Sequence, residues 1–421
     1  MKPWRYSYSN ILEQLTEMNK IGFFCFFTVA LVASCSRNNP SKDGIPVIDA
    51  TKNYPEKEIL LTDIADVTYV HLDTKSDDFL YKGGISYLTE NTIVVQDVSS
   101  GSVLFFSKDG TPISHFNRHG LGPQEYRGRR SSIAYDEVTD EVFIYNGTTI
   151  QIYSSQGEYK RSIPLPYNVI INQMDCFDDQ SLILFDINRR WYKAQPKTPE
   201  DNIDYLTHTI DSSFMLISRV DGQVLDYIEM FTEHKELSVK PTSGGAMMLV
   251  FTDLVKHAEG YLLGNPATDT IFLYNKNREL TPIICKIPLL SHNEPKIILN
   301  NCIDVDNYQF IVVQTMSYGQ LGNQDSYKYL MRDKQTGEIF RQKIVMPDYQ
   351  EKKITISPNL TNYFHENGTH IELDLIELKQ AYNDNKLSGK LKELVASLNE
   401  FDDNNVFMFI KFKKESMPKS P

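Results

Sequence analysis

The chain is 421 residues long, with 55 acidic against 43 basic side chains and a formal net charge of −12. Phosphate backbones and anionic lipid headgroups call for clustered Lys and Arg, so this balance argues against nucleic acid as a partner and against electrostatic adhesion to a membrane. The length suffices for one large or two ordinary domains.

In chain order, the first signal is an uncharged run over residues 21–34 that closes on Leu31-Val32-Ala33-Ser34-Cys35. A spanning helix needs roughly 20 apolar residues. This run is shorter and has the length of a signal-peptide core behind Lys20. An apolar segment, small residues and then a cysteine is the lipobox layout, in which the cysteine is diacylated and becomes the new N-terminus. Residues 1–35 therefore read as a lipoprotein signal and Cys35 as the lipidation site. Met18-Asn19-Lys20 is a more ordinary opening for such a signal than the long leader carrying Glu13 and Glu17. Residues 1–35 hold Lys2, Arg5 and Lys20 against Glu13 and Glu17, a net +1, which leaves −12 − 1 = −13 on the rest. Anchoring then falls to the acyl chains. Ser36 after the cysteine is compatible with sorting to the outer membrane. The polar, turn-rich stretch that follows makes residues 36–57 a flexible tether.

Residues 85–344 consist of short β-branched and aromatic runs broken by Asp, Asn and Gly turns, an all-β pattern. The runs are self-similar. Val103-Leu104-Phe105-Phe106-Ser107-Lys108-Asp109-Gly110 aligns without a gap on Ile150-Gln151-Ile152-Tyr153-Ser154-Ser155-Gln156-Gly157. Met215 to Gly222 fits the same frame, as does Ile271 to Arg278 with arginine in place of glycine, and Tyr329 to Gly337 carries one extra residue. Each copy reads as a strand, a turn ending where positive φ favours glycine, and a further strand. Matching strands upstream end in Asp97, Asn146 and Asn265. A unit of about 50 residues with four short strands is the size of a propeller blade. Five copies plus remnants at both ends give a six-bladed β-propeller over residues 58–413, with residues 414–421 a disordered tail. The segment Val67-Thr68-Tyr69-Val70-His71-Leu72 would pair with Val406-Phe407-Met408-Phe409-Ile410-Lys411-Phe412 and shut the ring. An insertion around residues 188–205 reads as a loop over one face. Helical spacing over residues 373–398, broken at Asp384-Asn385, predicts two short helices packed on the last blade, before the closing strand. After Cys35 only Cys176, Cys285 and Cys302 remain, without CxxC spacing. That count opposes a disulfide framework or a zinc site, although Cys285 and Cys302 could pair.

The chain resembles the six-bladed β-propeller lipoproteins of gut Bacteroidetes, a family largely of unknown function, over residues 59–413, nearly all of the mature chain. The residues that carry the likeness are the opening Ile59-Leu60-Leu61-Thr62-Asp63-Ile64, the Gly120-Leu121-Gly122-Pro123-Gln124-Glu125-Tyr126 segment and the ending Leu391-Lys392-Glu393-Leu394. The resemblance implies fold and an envelope location, and supplies no catalytic residue.

The loop that holds the glycine-rich signature offers Arg118, His119, Glu125 and Tyr126 to a ligand, or else is a structural connection in which Glu125 pairs with Arg129 or Arg130. Arg189, Arg190, Trp191 and Tyr192 could form a stacking platform for sugars or peptides. No phosphate loop, zinc-binding HExxH or GxSxG elbow occurs. Two functions follow. The first is a lipid-anchored module binding a glycan, a peptide or an envelope protein, without cofactor. The alternative is a calcium-dependent lactonase or hydrolase in which Asp97, Asn146 and Asn265 converge on Ca²⁺, although Asp and Asn at repeated positions also cap turns.

Overall fold

The computed structural model describes residues 41–42, 44–74, 76–129, 131–166, 169–186, 210–231, 254–265, 268–290, 295–316, 326–358 and 367–414. Its strands form six sheets arranged as the blades of a propeller. Blade 1 comprises Ile85–Leu88, Thr92–Gln96, Val103–Ser107 and Pro112–Phe116, and blade 2 comprises Ile133–Asp136, Glu141–Tyr145, Thr149–Tyr153 and Tyr159–Pro164. Blade 3 comprises Ile171–Cys176, Ser181–Asp186, Ile210–Ser218 and Val224–Phe231, and blade 4 comprises Leu254–His257, Gly260–Leu263, Thr270–Asn275 and Leu280–Ile287. Blade 5 comprises Lys296–Asp304, Tyr308–Met316, Tyr327–Asp333 and Ile339–Val345. Blade 6 takes Gly368–Leu373 and Val406–Phe412 from the end of the ring sequence and Ala65–His71 from its start. All pairs within these blades are antiparallel.

A blade is covered on both faces by its neighbours, which explains the composition of its middle strands. Thr92–Gln96 and Ser181–Asp186 are buried at every position, so they read as continuous runs instead of alternating ones. The outer strand Pro112–Phe116 alternates, because one side meets water. The core is accordingly a ring of layers between blades. One layer joins blades 1, 2 and 3 through residues such as Phe105, Phe143 and Met174, and another seats the two C-terminal helices on blades 5 and 6. Those helices, α2 (Leu375–Asn383) and α3 (Gly389–Ser397), bury Leu378, Leu391 and Val395. They follow a four-residue helix, α1 (Leu61–Ile64), near the start of the ring. Asn385, at φ +57°, separates α2 from α3, as its place in the sequence predicts.

The predicted closure is present. Val406 pairs with His71 and Phe412 with Ala65, so the N-terminal strand of the closing pair begins two residues before the sequence pattern suggests. The repeat is present too, as the third strand of blades 1 to 5. Gly110 has φ +91°, and Arg278, which stands in for glycine, adopts φ +64°. One alignment needs correction. Gly110 donates to Ser107 and Gly157 to Ser154, three residues back, but Gly222 donates to Ser218, four residues back, like Gly337 to Asp333. The third copy therefore also carries an extra residue, and Arg219 is the counterpart of Lys334. The main-chain N–H of each bonds the carbonyl of the preceding hairpin, Gln180 or Asn307.

The tether is shorter than the sequence suggests. Ile45–Asp49 runs parallel to the outer strand of blade 4, and Glu56–Leu60 runs parallel to the outer strand of blade 5. The outer strands present unpaired N–H and C=O groups, and the apolar stretch Ile45-Pro46-Val47-Ile48 satisfies one such edge. At the other end, the Lys414 carbonyl accepts from Asn307 Nδ2 at 2.8 Å. Cys176, Cys285 and Cys302 form no disulfide, so the pairing of Cys285 with Cys302 that the sequence allows is not made.

Candidate functional site

The first strands of the blades line the axis of the ring. At the face where first strands begin and second strands end, here the upper face, blades 1, 2 and 3 leave a cavity of about 860 Å³. Gln96, Arg127, Tyr145, Asn146, Asn172 and Gln173 are among its walls, and Gly83, Gly84, Gly128 and Gly147 expose bare main chain. Gln96, 3% exposed, accepts the Ser131 N–H through Oε1 at 2.8 Å, so its orientation is settled and its Nε2 has no partner. Asn172 Nδ2 is likewise buried without a partner. Gln173 is already engaged, exchanging two 3.0 Å bonds with the main chain of Leu254 in blade 4.

The glycine-rich segment borders this cavity, and its geometry is that of a clip between blades 1 and 2. Glu125 turns back to accept the Gly122 N–H at 2.7 Å, a bond in place of the pairing with Arg129 or Arg130 weighed from the sequence. A Cβ on Gly120 would fall 2.0 Å from the same carboxylate, so any other residue there would displace Glu125 from this bond. Tyr126 is fully buried and donates to the Gly101 carbonyl at 2.7 Å; burial pushes its hydroxyl up to about 12 even though the Arg118 N–H favours the ionised form. Arg118 Nε donates to the Gly157 carbonyl at 3.0 Å, and the His119 ring bonds the Arg127 carbonyl at 3.0 Å. These four side chains thus hold the segment that carries Arg127 and Gly128 to the rim. Arg189, Arg190, Trp191 and Tyr192 lie outside the described residues, in the stretch joining the second and third strands of blade 3, and Cys35 also lies outside them.

Asp97, Asn146 and Asn265 sit at equivalent strand ends, and the bonds of the first two are local. Asp97 accepts from the N–H groups of Lys82, Ser99 and Ser100, at 2.9, 3.1 and 3.0 Å. Burial would raise its carboxyl, and these bonds with the Ser100 hydroxyl outweigh that and lower it. Asn146 accepts the Arg127 N–H at 2.9 Å and donates to the Glu125 carbonyl at 3.2 Å. Asn265 is buried, and its carbonyl accepts the Thr268 N–H at 2.8 Å. Among the described residues no group of three His, Cys, Asp or Glu side chains could hold a metal ion.

The opposite mouth of the axis is crossed by a polar knot that the sequence analysis did not find. Tyr87 of blade 1 donates to Asp175 of blade 3, and Lys256 of blade 4 lies 3.5 Å from the same carboxylate. Burial, then the Asp175 charge, pushes the Tyr87 hydroxyl far up. Beside it a cavity of about 390 Å³ is walled by Arg219, Asp136 and Cys176. Arg219 bonds Asp136 at 2.5 Å, approaches Glu141 at 3.5 Å and lies over the Phe143 ring. A third cavity, of about 400 Å³, lies between blade 6 and residues 353–357, with Ile85 of blade 1 on its wall. Two groups on its wall, Thr369 Oγ1 and His370 Nδ1, are buried without partners. The signal that could have marked these residues is a polar side chain inside a strand buried on both faces, such as Gln96 closing Thr92–Gln96 or Asp175 in Ile171–Cys176.

Comparison with known proteins bears on the fold and the lineage. A family model described as a domain of unknown function, DUF4934, matches residues 45–411. A Bacteroides fragilis protein, provisionally described as exported, superposes with a TM-score of 0.59 at 16% identity, covering 87% of this chain and 100% of its own. A DUF4221-family member from Bacteroides vulgatus gives a TM-score of 0.44 at 10% identity, covering 83% and 96%. No curated protein matches. Among the described residues no helix is long and apolar enough to cross a membrane.

Proposed function

The chain belongs to the family defined by the domain of unknown function DUF4934, and on that premise we propose that it is a binding module of the cell envelope, lipid-anchored at Cys35, with its ligand in the upper mouth of the propeller. The observation that carries this reading is the cavity of about 860 Å³ between blades 1, 2 and 3, with the unpartnered amide of Gln96 on its wall. Leaving a buried donor unmade costs about 1–3 kcal/mol, and a ligand acceptor would recover that cost. The clip of Arg118, His119, Glu125 and Tyr126 serves by fixing the rim. The likeness to a Bacteroides protein provisionally described as exported supports the envelope location.

The donor set also favours binding over a calcium enzyme. Calcium takes six to eight oxygen ligands. Here the side-chain oxygens of Asp97, Asn146 and Gln96 accept main-chain N–H groups, and Gln96 presents nitrogen where a cation would need oxygen.

The test has two parts. Cells expressing the chain should incorporate labelled palmitate into it, and Cys35→Ser should remove the label. Thermal shifts of the domain, measured with Ca²⁺ and EDTA and then with envelope glycans and peptides, should respond to a glycan or peptide and not to the metal. A rise with Ca²⁺ that EDTA abolishes would favour the enzyme and overturn the binding-module reading.

A further inference from the structure

The buried unpartnered groups on the wall of the upper mouth are of one kind. Gln96 Nε2 and Asn172 Nδ2 are buried donors without partners. Arg127 is exposed at the rim of the same cavity and is the one charged side chain among the described residues of its wall. Three of the competing amide oxygens are engaged: Gln96 Oε1 by Ser131, Asn146 Oδ1 by Arg127 and Gln173 Oε1 by Leu254. Among the described residues the acids beside this wall are engaged: Asp97, between Gln96 and Val98, accepts three main-chain N–H groups, Asp186 accepts the Ile170 N–H at 3.0 Å, and Glu372, close to Gly84, accepts from Asn405 at 2.8 Å. A wall with unpartnered N–H groups and one guanidinium, whose neighbouring carboxylates are already bonded, in a chain of net charge −12, selects for an acceptor-rich and negatively charged group. The rest of the wall narrows the class further. The wall combines the apolar surface of Val98, Ile133, Ile171 and Tyr145 with serines, amides and four glycines. A peptide would need apolar pockets for alternate side chains, whereas hydroxyls laid against exposed main chain and amides suit a sugar.

We propose that the upper mouth binds a sugar acid, with the carboxylate directed to Arg127, Gln96 and Asn172 and the ring hydroxyls to the glycine-flanked main chain. The inference rests on the reading of that mouth as the binding site. Charge-assisted hydrogen bonds from a guanidinium and amides to a carboxylate are the strong ones, so the acid should bind at least tenfold more tightly than its neutral counterpart.

The experiment is calorimetric titration of the whole domain with a glucuronate-terminated disaccharide and with the glucose-terminated analogue. Arg127→Gln, a change at an exposed side chain, should reduce acid binding about tenfold and bring it close to that of the neutral sugar, with an unchanged melting temperature as the check on folding. Gln96→Glu keeps the oxygen that accepts from Ser131 and replaces the free nitrogen with a second oxygen, so it should abolish the preference for the acid. Equal binding of both disaccharides, or binding that neither variant alters, overturns the sugar-acid inference while the binding-module reading stands. Tighter binding of an acidic peptide than of the glucuronate probe would likewise overturn it. If no disaccharide or peptide binds, the binding site itself is refuted along with the inference.

Discussion

Arg219 joins two blades through a buried charge cluster, and its replacement by methionine should destabilise the ring. The guanidinium side chain is 5% exposed; it bonds Asp136, 15% exposed, at 2.5 Å and approaches Glu141 at 3.5 Å. Removing one member of a buried ion pair costs about 3–5 kcal/mol, because the other charge is left without compensation. Glu141 keeps Arg161, with a second bond at 3.0 Å, so Asp136 alone is stranded and the cost lies at the lower end, about 3 kcal/mol. At about 2.1 cal/mol/K per residue over residues 45–411, the unfolding entropy is about 0.8 kcal/mol/K, and Arg219→Met should lower Tm by about 4 °C. Asp136→Asn keeps the cap on the Val138 N–H and removes the charge, so the double variant should lose clearly less than the sum of the two singles. The pH dependence has a definite sign. Burial works to raise the carboxyls of Asp136 and Glu141, but bonds from Arg219 and Arg161 prevail and hold both low. Their stabilisation is therefore full above the ordinary carboxylate range and is lost as the pH falls through the lowered values. Differential scanning calorimetry from pH 7 to pH 3 should show the gap between wild type and Arg219→Met closing at the acid end. A Tm within half a degree of wild type at pH 7, or strictly additive singles, would refute the reasoning.

Three further outcomes are expected. Gly110→Ala forces a Cβ to 2.0 Å from the His71 carbonyl on the closing strand, at φ +91°, and should cost well over 3 kcal/mol in urea melts. Gly337→Ala, at φ +72° with nothing within 4 Å, should cost only about 1 kcal/mol of left-handed strain; equal losses would mean that closure is not what Gly110 protects. His370 is held at about 4 by burial, and secondarily by Lys108, against an ordinary 6.5. The unfolded chain therefore binds this proton first, so stability should fall by about 3 kcal/mol as the pH drops from 6.5 to 4. His370→Leu should flatten that part of the pH profile, and an unchanged slope would contradict the assignment. Asp175→Ala strips Tyr87 and Lys256 of their shared acceptor and should cost about 3 kcal/mol, read as a lower midpoint with unchanged m-value.

The ring was legible in the sequence because its determinants are local. A strand of β-branched and aromatic residues, a turn that needs positive φ at Gly110, Gly157 or Arg278, and the next strand all lie within a short window, and their recurrence counts the blades. The closing pair was also readable, since Ala65–His71 and Val406–Phe412 are the two strands left over at the ends, and so were α2 and α3, from their apolar spacing. Other features were set only by tertiary packing. Ile45–Asp49 and Glu56–Leu60 become strands because the outer edges of blades 4 and 5 offer unpaired main chain, which nothing within those segments announces. The extra residue at Arg219 shows in hydrogen-bond register and not in the spacing of apolar residues. Above all, the cavity with Gln96, Arg127 and Asn172, and the knot of Tyr87, Asp175 and Lys256, each draw on three blades. A side chain's partners across the axis depend on how far each blade is turned around the ring, and a repeat encodes the blade but not the angle at which its neighbours present their polar groups.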